Sequence, residues 1–133
     1  MLKSTLSMSR YKHFNLNPVN NINPDCTIRA IGLFTDSTWT ETYDGVCAEG
    51  RRMYNMPSSN VVWSSYLRKL GFRRYLLKNT CPDCYTVREF CFDHPNGRFL
   101  LCLDEHVVTV IDGYYYDTFD CGDETVLYYW VKD

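Results

Sequence analysis

The pattern of apolar and polar residues changes character along the chain and divides it into two parts. Up to about residue 70, apolar residues recur every three or four positions, which is typical of helices that bury one face. From residue 98 onward, short apolar runs rich in Val, Leu and Tyr are separated by turn residues, which is typical of strands. The order predicts an α+β fold, in which N-terminal helices pack on a C-terminal antiparallel β-sheet.

The boundaries of the predicted elements follow from caps, glycines and prolines. Helices are predicted over 26–34, 39–53, 61–70, and from the Thr80-Cys81-Pro82 segment to about residue 93. Strands are predicted over 72–77, 98–103, 106–111, 114–119 and 125–131. A length of 133 residues suggests a single core, so we expect residues 20–133 to form one domain and residues 1–19 a tail or an edge segment.

The dipeptide Asp112-Gly113 lies between two apolar runs and predicts a two-residue β-hairpin. In that register Val108 faces Asp117, and His106 lies on the same face because it precedes Val108 by one full strand repeat. His106 and Asp117 then become diagonal neighbours within reach of a hydrogen bond. A slip of one residue in the pairing would place the two side chains on opposite faces.

Cys26 lies where a loop rich in Asn and Pro gives way to a helical pattern. The helix dipole stabilises a thiolate at the first turn, and a nearby imidazole can take the thiol proton. An Asp on the other ring nitrogen then fixes the orientation of the imidazole. These requirements make Cys26 the candidate nucleophile, His106 its base and Asp117 the orienting residue. Asp120, just past the predicted strand, is the alternative third member.

An acyl-transfer site also needs hydrogen-bond donors that stabilise an oxyanion. The backbone N–H of Cys26 is one candidate, and the loop before it offers the side-chain amides of Asn20 and Asn23. Asp25 comes directly before the thiol, and we expect its negative charge to raise the pKa of Cys26.

The order of these residues resembles the papain-like cysteine peptidase superfamily, in compact bacterial forms such as the peptidase domains of bacteriocin exporters and the NlpC-type cell-wall enzymes. The resemblance rests on the chain order of Cys26 at a helix start followed by His106 and Asp117, and on the segment 105–120, which is similar to sequences in small proteins of bacteria and their phages. In that superfamily the Cys begins a helix packed on an antiparallel sheet, His starts a central strand, and a polar residue follows on the next strand. The resemblance implies a thiol hydrolase with a peptide or protein substrate and no cofactor.

The segment around the thiol departs from the papain-type pattern. The small Gly or Ser residues and the aromatic residue that surround the papain-type Cys are absent here, and Asn20 at best replaces the expected Gln. A non-catalytic binding protein on the same fold therefore stays open as an alternative. One example is a phage-encoded inhibitor of a host defence system, which would contact a host protein through its aromatic strands.

A further alternative is a redox or zinc protein built on the motif Cys81-Pro82-Asp83-Cys84. A zinc site there would recruit Cys91 and His94 as further ligands. If residues 84–93 are helical, Cys84 and Cys91 lie about 10 Å apart along the helix axis, which is too far for one tetrahedral zinc ion. A helix cap with an early Pro is therefore the favoured interpretation of this motif.

Composition narrows the class of protein only slightly. Hydrophobic residues are 45%, charged residues 23% and the net charge is −2, so no global charge indicates nucleic acid or an anionic membrane surface. The seven Cys are odd in number and no signal peptide is expected, which favours reduced thiols in the cytoplasm over a disulfide framework. Four of them are expected to be packing residues, namely Cys47, Cys91, Cys102 and Cys121. No apolar run approaches the roughly 20 residues of a membrane-spanning helix.

Overall fold

A computed structural model describes residues 9–21, 24–78 and 84–132. Within these ranges, the four helices are α1 (Cys26–Phe34), α2 (Trp39–Met53), α3 (Asn60–Lys69) and α4 (Val87–Asp93). The strands are β1 (Tyr11–His13), β2 (Phe72–Leu76), β3 (Arg98–Leu103), β4 (His106–Ile111), β5 (Tyr114–Asp117) and β6 (Tyr128–Lys132). The predicted α+β class is confirmed.

The strands form one six-stranded sheet in the order β1-β5-β4-β3-β6-β2. All pairs are antiparallel except β1 with β5, which is parallel. Strand β4 therefore lies in the interior of the sheet, and β1 forms one of its edges. No helix in the described ranges is long and apolar enough to cross a membrane.

The β4–β5 hairpin has the register that the sequence predicts. Ile111 pairs with Tyr114 across the turn. Asp112 and Gly113 have φ angles of 49° and 81°, both in the left-handed region that a two-residue hairpin turn requires. The first residue of β4 and the last residue of β5, His106 and Asp117, consequently lie at the same end of the hairpin.

Successive side chains of a strand point to opposite faces of the sheet, and each face carries its own apolar cluster. On β3, Leu100 and Cys102 belong to the cluster formed with α1, α2 and α3, whereas Leu101 and Leu103 belong to the cluster formed with α4. Two hydrogen bonds between sheet and helix also hold α1: Thr109 Oγ1 donates to Ala30 O at 2.5 Å and Arg98 Nη1 to Leu33 O at 2.6 Å. These contacts hold helix α1 against the sheet and fix the position of its first residue, Cys26.

The fourth helix begins later than predicted. Thr86 caps α4 by accepting a hydrogen bond from the Glu89 N–H, and the Glu89 carboxylate accepts from the Thr86 N–H. This reciprocal capping box ends the preceding loop and starts the helix at Val87, so Cys84 precedes the helix. The predicted entry at residues 80–82 lies outside the described residues. The other boundaries differ from prediction by at most a few residues, with β5 ending at 117 and β6 beginning at 128.

Candidate thiol–imidazole–carboxylate site

His106 and Asp117 are joined by a direct hydrogen bond. His106 Nε2 lies 2.5 Å from Asp117 Oδ2, and their side chains are only 11% and 3% exposed. The Phe119 ring lies beside the imidazole, with 4.9 Å between the ring centroids. Burial strengthens this charge-assisted hydrogen bond because little water competes for either partner.

The other carboxylate oxygen of Asp117 is held by two donors. Oδ1 accepts from the Thr118 N–H at 2.7 Å and from Arg29 Nη1 at 3.4 Å. Arg29 projects from α1 and is itself nearly buried, with 12% of its side chain exposed. These contacts fix the carboxylate so that Oδ2 faces the imidazole.

Cys26 is the first residue of α1 and is half-buried. Burial raises the pKa of its thiol. The hydrogen bond and charge of His106 lower this pKa, and so do the Val107 backbone N–H and the Thr27 hydroxyl. Together they outweigh burial, so the pKa of the thiol is lowered. For His106, desolvation lowers the pKa, but the Asp117 carboxylate and the Cys121 and Cys26 thiols together raise it well above its ordinary value. These opposite shifts favour a thiolate paired with an imidazolium.

The negative charge of Asp25 does not prevent the pKa of Cys26 from being lowered. The Asp25 carboxylate accepts hydrogen bonds from Arg29 Nε at 2.6 Å, Trp39 Nε1 at 2.9 Å and Asn17 Nδ2 at 3.2 Å. Burial raises the pKa of Asp25, but these donors outweigh burial and hold it below its ordinary value. Arg29 compensates the negative charge one helical turn away, and Asp25 is not among the main groups that shift the pKa of Cys26.

Cys121 is a second thiol of the site, and its assignment as a packing residue was incomplete. It is 1% exposed, and its Sγ lies 3.7 Å from Asp117 Oδ2. Burial raises the pKa of Cys121, and although a hydrogen bond to His106 lowers it, the Asp117 charge raises it further. Ligand atoms of His106, Asp117 and Cys121 all lie within 4.8 Å of one another, a set of N, O and S atoms that could hold a metal ion.

Of the three residues predicted for supporting roles, two make other contacts, and the third lies outside the described residues. Asp120 Oδ1 accepts hydrogen bonds from the Tyr115 hydroxyl and the Gly122 N–H, so this carboxylate is not the partner of His106. Asn20 is a turn residue with a φ of 54° and lines a different cavity from the one at Cys26. Asn23 lies outside the described residues.

The residues proposed for zinc do not come together within the described ranges. Cys84 is half-buried in the segment before α4, and Cys91 is fully buried, which raises the pKa of its thiol to about 12. His94 Nδ1 lies 2.9 Å from the Phe90 carbonyl oxygen, and its ring stacks on Phe90. Cys81 lies outside the described residues. Among the described residues, no metal-ligating group includes Cys84, Cys91 or His94.

A cleft of about 200 Å³ opens beside the thiol, with Cys26 and His106 in its wall. Asn60, the first residue of α3, also lines this cleft. Its Oδ1 accepts a hydrogen bond from Trp63 Nε1 at 3.1 Å, which leaves the amide Nδ2 as the donating end of the side chain. Sequence reasoning missed Asn60 because it lies on a different helix and carries no local signal of a role beside Cys26.

Comparisons of the chain with protein-family models, curated proteins and solved structures find no match. The chemical interpretation of the site therefore depends on its own geometry.

Proposed function

We propose that the protein is a papain-like thiol hydrolase that cleaves a peptide or amide bond, with Cys26 as nucleophile, His106 as general base and acid, and Asp117 as the orienting residue. One observation carries this proposal: Cys26 and His106 line the same cleft, and His106 Nε2 lies 2.5 Å from Asp117 Oδ2. The pKa values of thiol and imidazole, which shift in opposite directions, support it. A cleft at the thiol gives a substrate access to it.

The first half of the reaction forms an acyl-enzyme. The Cys26 thiolate attacks the substrate carbonyl carbon, a C–S bond forms, and the carbonyl oxygen becomes an oxyanion. As the oxyanion collapses, the C–N bond breaks and His106 gives its proton to the leaving amine. Asp117 stays ionised throughout and holds the imidazole in place.

The second half of the reaction restores the thiolate. A water molecule gives a proton to His106 as its oxygen attacks the thioester carbon. The C–S bond then breaks, the acyl group leaves as a carboxylic acid, and Cys26 and His106 return to the thiolate–imidazolium pair. The net reaction is hydrolysis of one amide bond.

Two donors beside the cleft would stabilise the oxyanion. The first is the backbone N–H of Cys26, because the first N–H groups of a helix have no partner within that helix. The second is Asn60 Nδ2, which takes over the role that the sequence suggested for Asn20 or Asn23. The bond from Trp63 Nε1 to Asn60 Oδ1 sets the orientation of this amide.

A metal centre of His106, Asp117 and Cys121 is the second candidate, and the His106–Asp117 distance argues against it. Ligand atoms about 2.0–2.3 Å from a tetrahedral zinc ion lie more than about 3 Å from each other. His106 Nε2 and Asp117 Oδ2 are 2.5 Å apart, so a shared proton fits between them and a metal ion does not. Zinc analysis of the purified protein checks this: a stoichiometric ion lost in the Cys121→Ala variant would favour the metal centre.

Site-resolved alkylation tests the proposal. At neutral pH, iodoacetamide should label Cys26 well ahead of the other thiols, and a peptide library should yield cleavage products that disappear in the Cys26→Ala variant. Cys47, a half-buried thiol on α2, supplies the matched control, because Cys47→Ala should leave cleavage unchanged. Equal labelling of Cys26 and Cys47 would contradict the proposal and favour the non-catalytic binding protein.

A further inference from the structure

A second hollow, here called the apolar pocket, lies next to the cleft at the start of α1. Its volume is about 400 Å³. Pro24, Ile28, Trp39, Tyr43 and Pro57 supply most of its lining. This volume is ample for one large side chain and lies at the lower end of the range for small-molecule pockets.

An aromatic pair forms one wall of the apolar pocket. The rings of Trp39 and Tyr43 stack with 5.0 Å between their centroids and 12° between their planes. The Trp39 indole N–H donates to Asp25 at 2.9 Å, which anchors the inner ring of the pair. Tyr43 is 46% exposed on α2, so its ring presents apolar surface to the solvent. Such a fixed aromatic surface binds apolar and aromatic groups at little cost in conformational entropy.

The apolar pocket adjoins the cleft that holds the thiol. Thr27 and Ser58 border both cavities, and Thr27 directly follows Cys26 in α1. A substrate chain that places its carbonyl carbon at Cys26 can therefore extend one side chain over Thr27 into the apolar pocket.

The two cavities also differ in the charged and polar groups that line them. The cleft contains Glu105 at its rim and the amide of Asn60. The only carboxylate that borders the apolar pocket within the described part of the chain is Asp25, which already accepts three hydrogen bonds from Arg29, Trp39 and Asn17. A charged substrate group would gain no partner in the apolar pocket and would lose its hydration there.

We propose that the apolar pocket selects peptide substrates with a large apolar or aromatic side chain beside the bond that is cleaved, and that Tyr43 determines this specificity. The inference rests on the proposed thiol hydrolase function. Removing the Tyr43 ring opens one wall of the apolar pocket without touching Cys26, His106 or Asp117.

Two dipeptidyl vinyl sulfones test this specificity, one with Phe and one with Ser in the residue before the reactive group. In the unchanged protein, the Phe probe should alkylate Cys26 at least about tenfold faster than the Ser probe. Tyr43→Ala should reduce this preference to about threefold or less, and Tyr43→Phe should retain it. Tyr75→Ala is the matched control, because Tyr75 is 40% exposed on β2 and should not affect the preference.

Iodoacetamide separates failure of this inference from failure of the proposed function, because it reports the thiol without a peptide side chain. Selective iodoacetamide labelling of Cys26 with equal rates for the two peptidyl probes would overturn the specificity and leave the hydrolase proposal intact. A Phe preference that survives in Tyr43→Ala would likewise overturn the role of Tyr43. Absence of selective iodoacetamide labelling would overturn the proposed function itself.

Discussion

Cys26 and Cys121 both interact with the imidazole of His106, but their thiol pKa values shift in opposite directions. The pKa of Cys26 is lowered although burial raises it, whereas that of Cys121 is raised by burial and by the Asp117 carboxylate. The Cys26 side of the imidazole offers the Val107 N–H to a thiolate, and the Cys121 side offers a negative charge. A neighbouring imidazole is therefore not enough to activate a thiol, because the remaining groups around the sulfur decide its charge.

The two thiols also differ in how accessible they are to a substrate. Cys26 is half-buried and borders the cleft, whereas Cys121 is 1% exposed and belongs to the apolar cluster beneath α4. The comparison favours Cys26 over Cys121 as the proposed nucleophile, and the Cys121 thiol instead donates to Asp117 Oδ2.

Removal of the imidazole should abolish the difference in pKa shift between the Cys26 and Cys121 thiols. In His106→Ala, the effect of burial on the Cys26 thiol is no longer opposed by the imidazolium charge, so its pKa should rise above the ordinary 9.0. We expect alkylation of Cys26 at neutral pH to fall by about 10²-fold, as its thiolate fraction falls. Mass spectrometry of the iodoacetamide-labelled protein measures this change. An unchanged rate in a folded variant would mean that His106 does not ionise the thiol.

Arg29 lies between the carboxylates of Asp25 and Asp117, and its removal should cost stability. Arg29→Met leaves two buried carboxylates without their cation, and we expect the free energy of unfolding at neutral pH to fall by about 2 kcal/mol. This value lies below the usual loss for a broken buried pair because the carboxylates keep their other hydrogen bonds. Arg51→Met, at an exposed position on α2, is the matched control and should change stability little.

The loss in Arg29→Met should depend on pH with a definite sign. The pKa of Asp25 is lower in the folded protein than its ordinary 3.8, so its ion pair stabilises the fold above that value and this stabilisation is lost as the pH falls. Urea unfolding at about pH 7 and at about pH 3 should therefore give a smaller difference between Arg29→Met and the unchanged protein at the lower pH. A difference that grows at the lower pH would contradict the charge assignment.

Asp117 should matter less for thiol ionisation than His106 does. Asp117→Asn keeps the shape of the carboxylate but removes its charge, so the imidazolium loses its main support. We expect labelling of Cys26 at neutral pH to fall by about tenfold, which is a loss of about 1.4 kcal/mol. Asp120→Asn is the control, because Asp120 binds Tyr115 and should leave the rate unchanged. If both variants behaved alike, Asp117 would not be the orienting residue.

Cys121 should have the smallest effect of the groups around His106. Cys121→Ala removes a weak donor at 3.7 Å from Asp117 Oδ2, and Asp117 keeps its bonds to His106, Thr118 and Arg29. The rate of Cys26 labelling should therefore stay within about twofold, since thiol hydrogen bonds are weak. A loss as large as that in His106→Ala would show that the two thiols act as a unit.

Local signals were enough to predict the elements that carry Cys26, His106 and Asp117. The Asp112-Gly113 turn fixed the hairpin register because both positions must adopt left-handed backbone angles. The bounds of α1 followed from the change from a polar loop to an apolar repeat, which placed Cys26 at its first turn. The position of His106 beside Asp117 needed nothing beyond this register and the two-residue repeat of a strand.

The errors have two physical causes. Some signals in the sequence competed: Pro82 suggested a helix entry, while the capping box of Thr86 and Glu89 sets the observed start of α4. The spacing of Asp25 and Arg29 by one helical turn was also readable, and it would have shown that the Asp25 charge is compensated. Other groups, such as Asn60 and Cys121, reach the site only through tertiary packing, which no local pattern records.

The ionisation of Cys26 is tested most directly by comparing the two thiols in one sample. Site-resolved iodoacetamide labelling of the folded protein across the range from about pH 5 to about pH 10 gives the apparent pKa of each thiol from its rate. We expect the rate for Cys26 to reach half its maximum below the ordinary thiol pKa of 9.0, and Cys121 to stay unlabelled until the protein unfolds. A half-maximum for Cys26 at or above that value, or equal labelling of Cys121, would contradict this expectation.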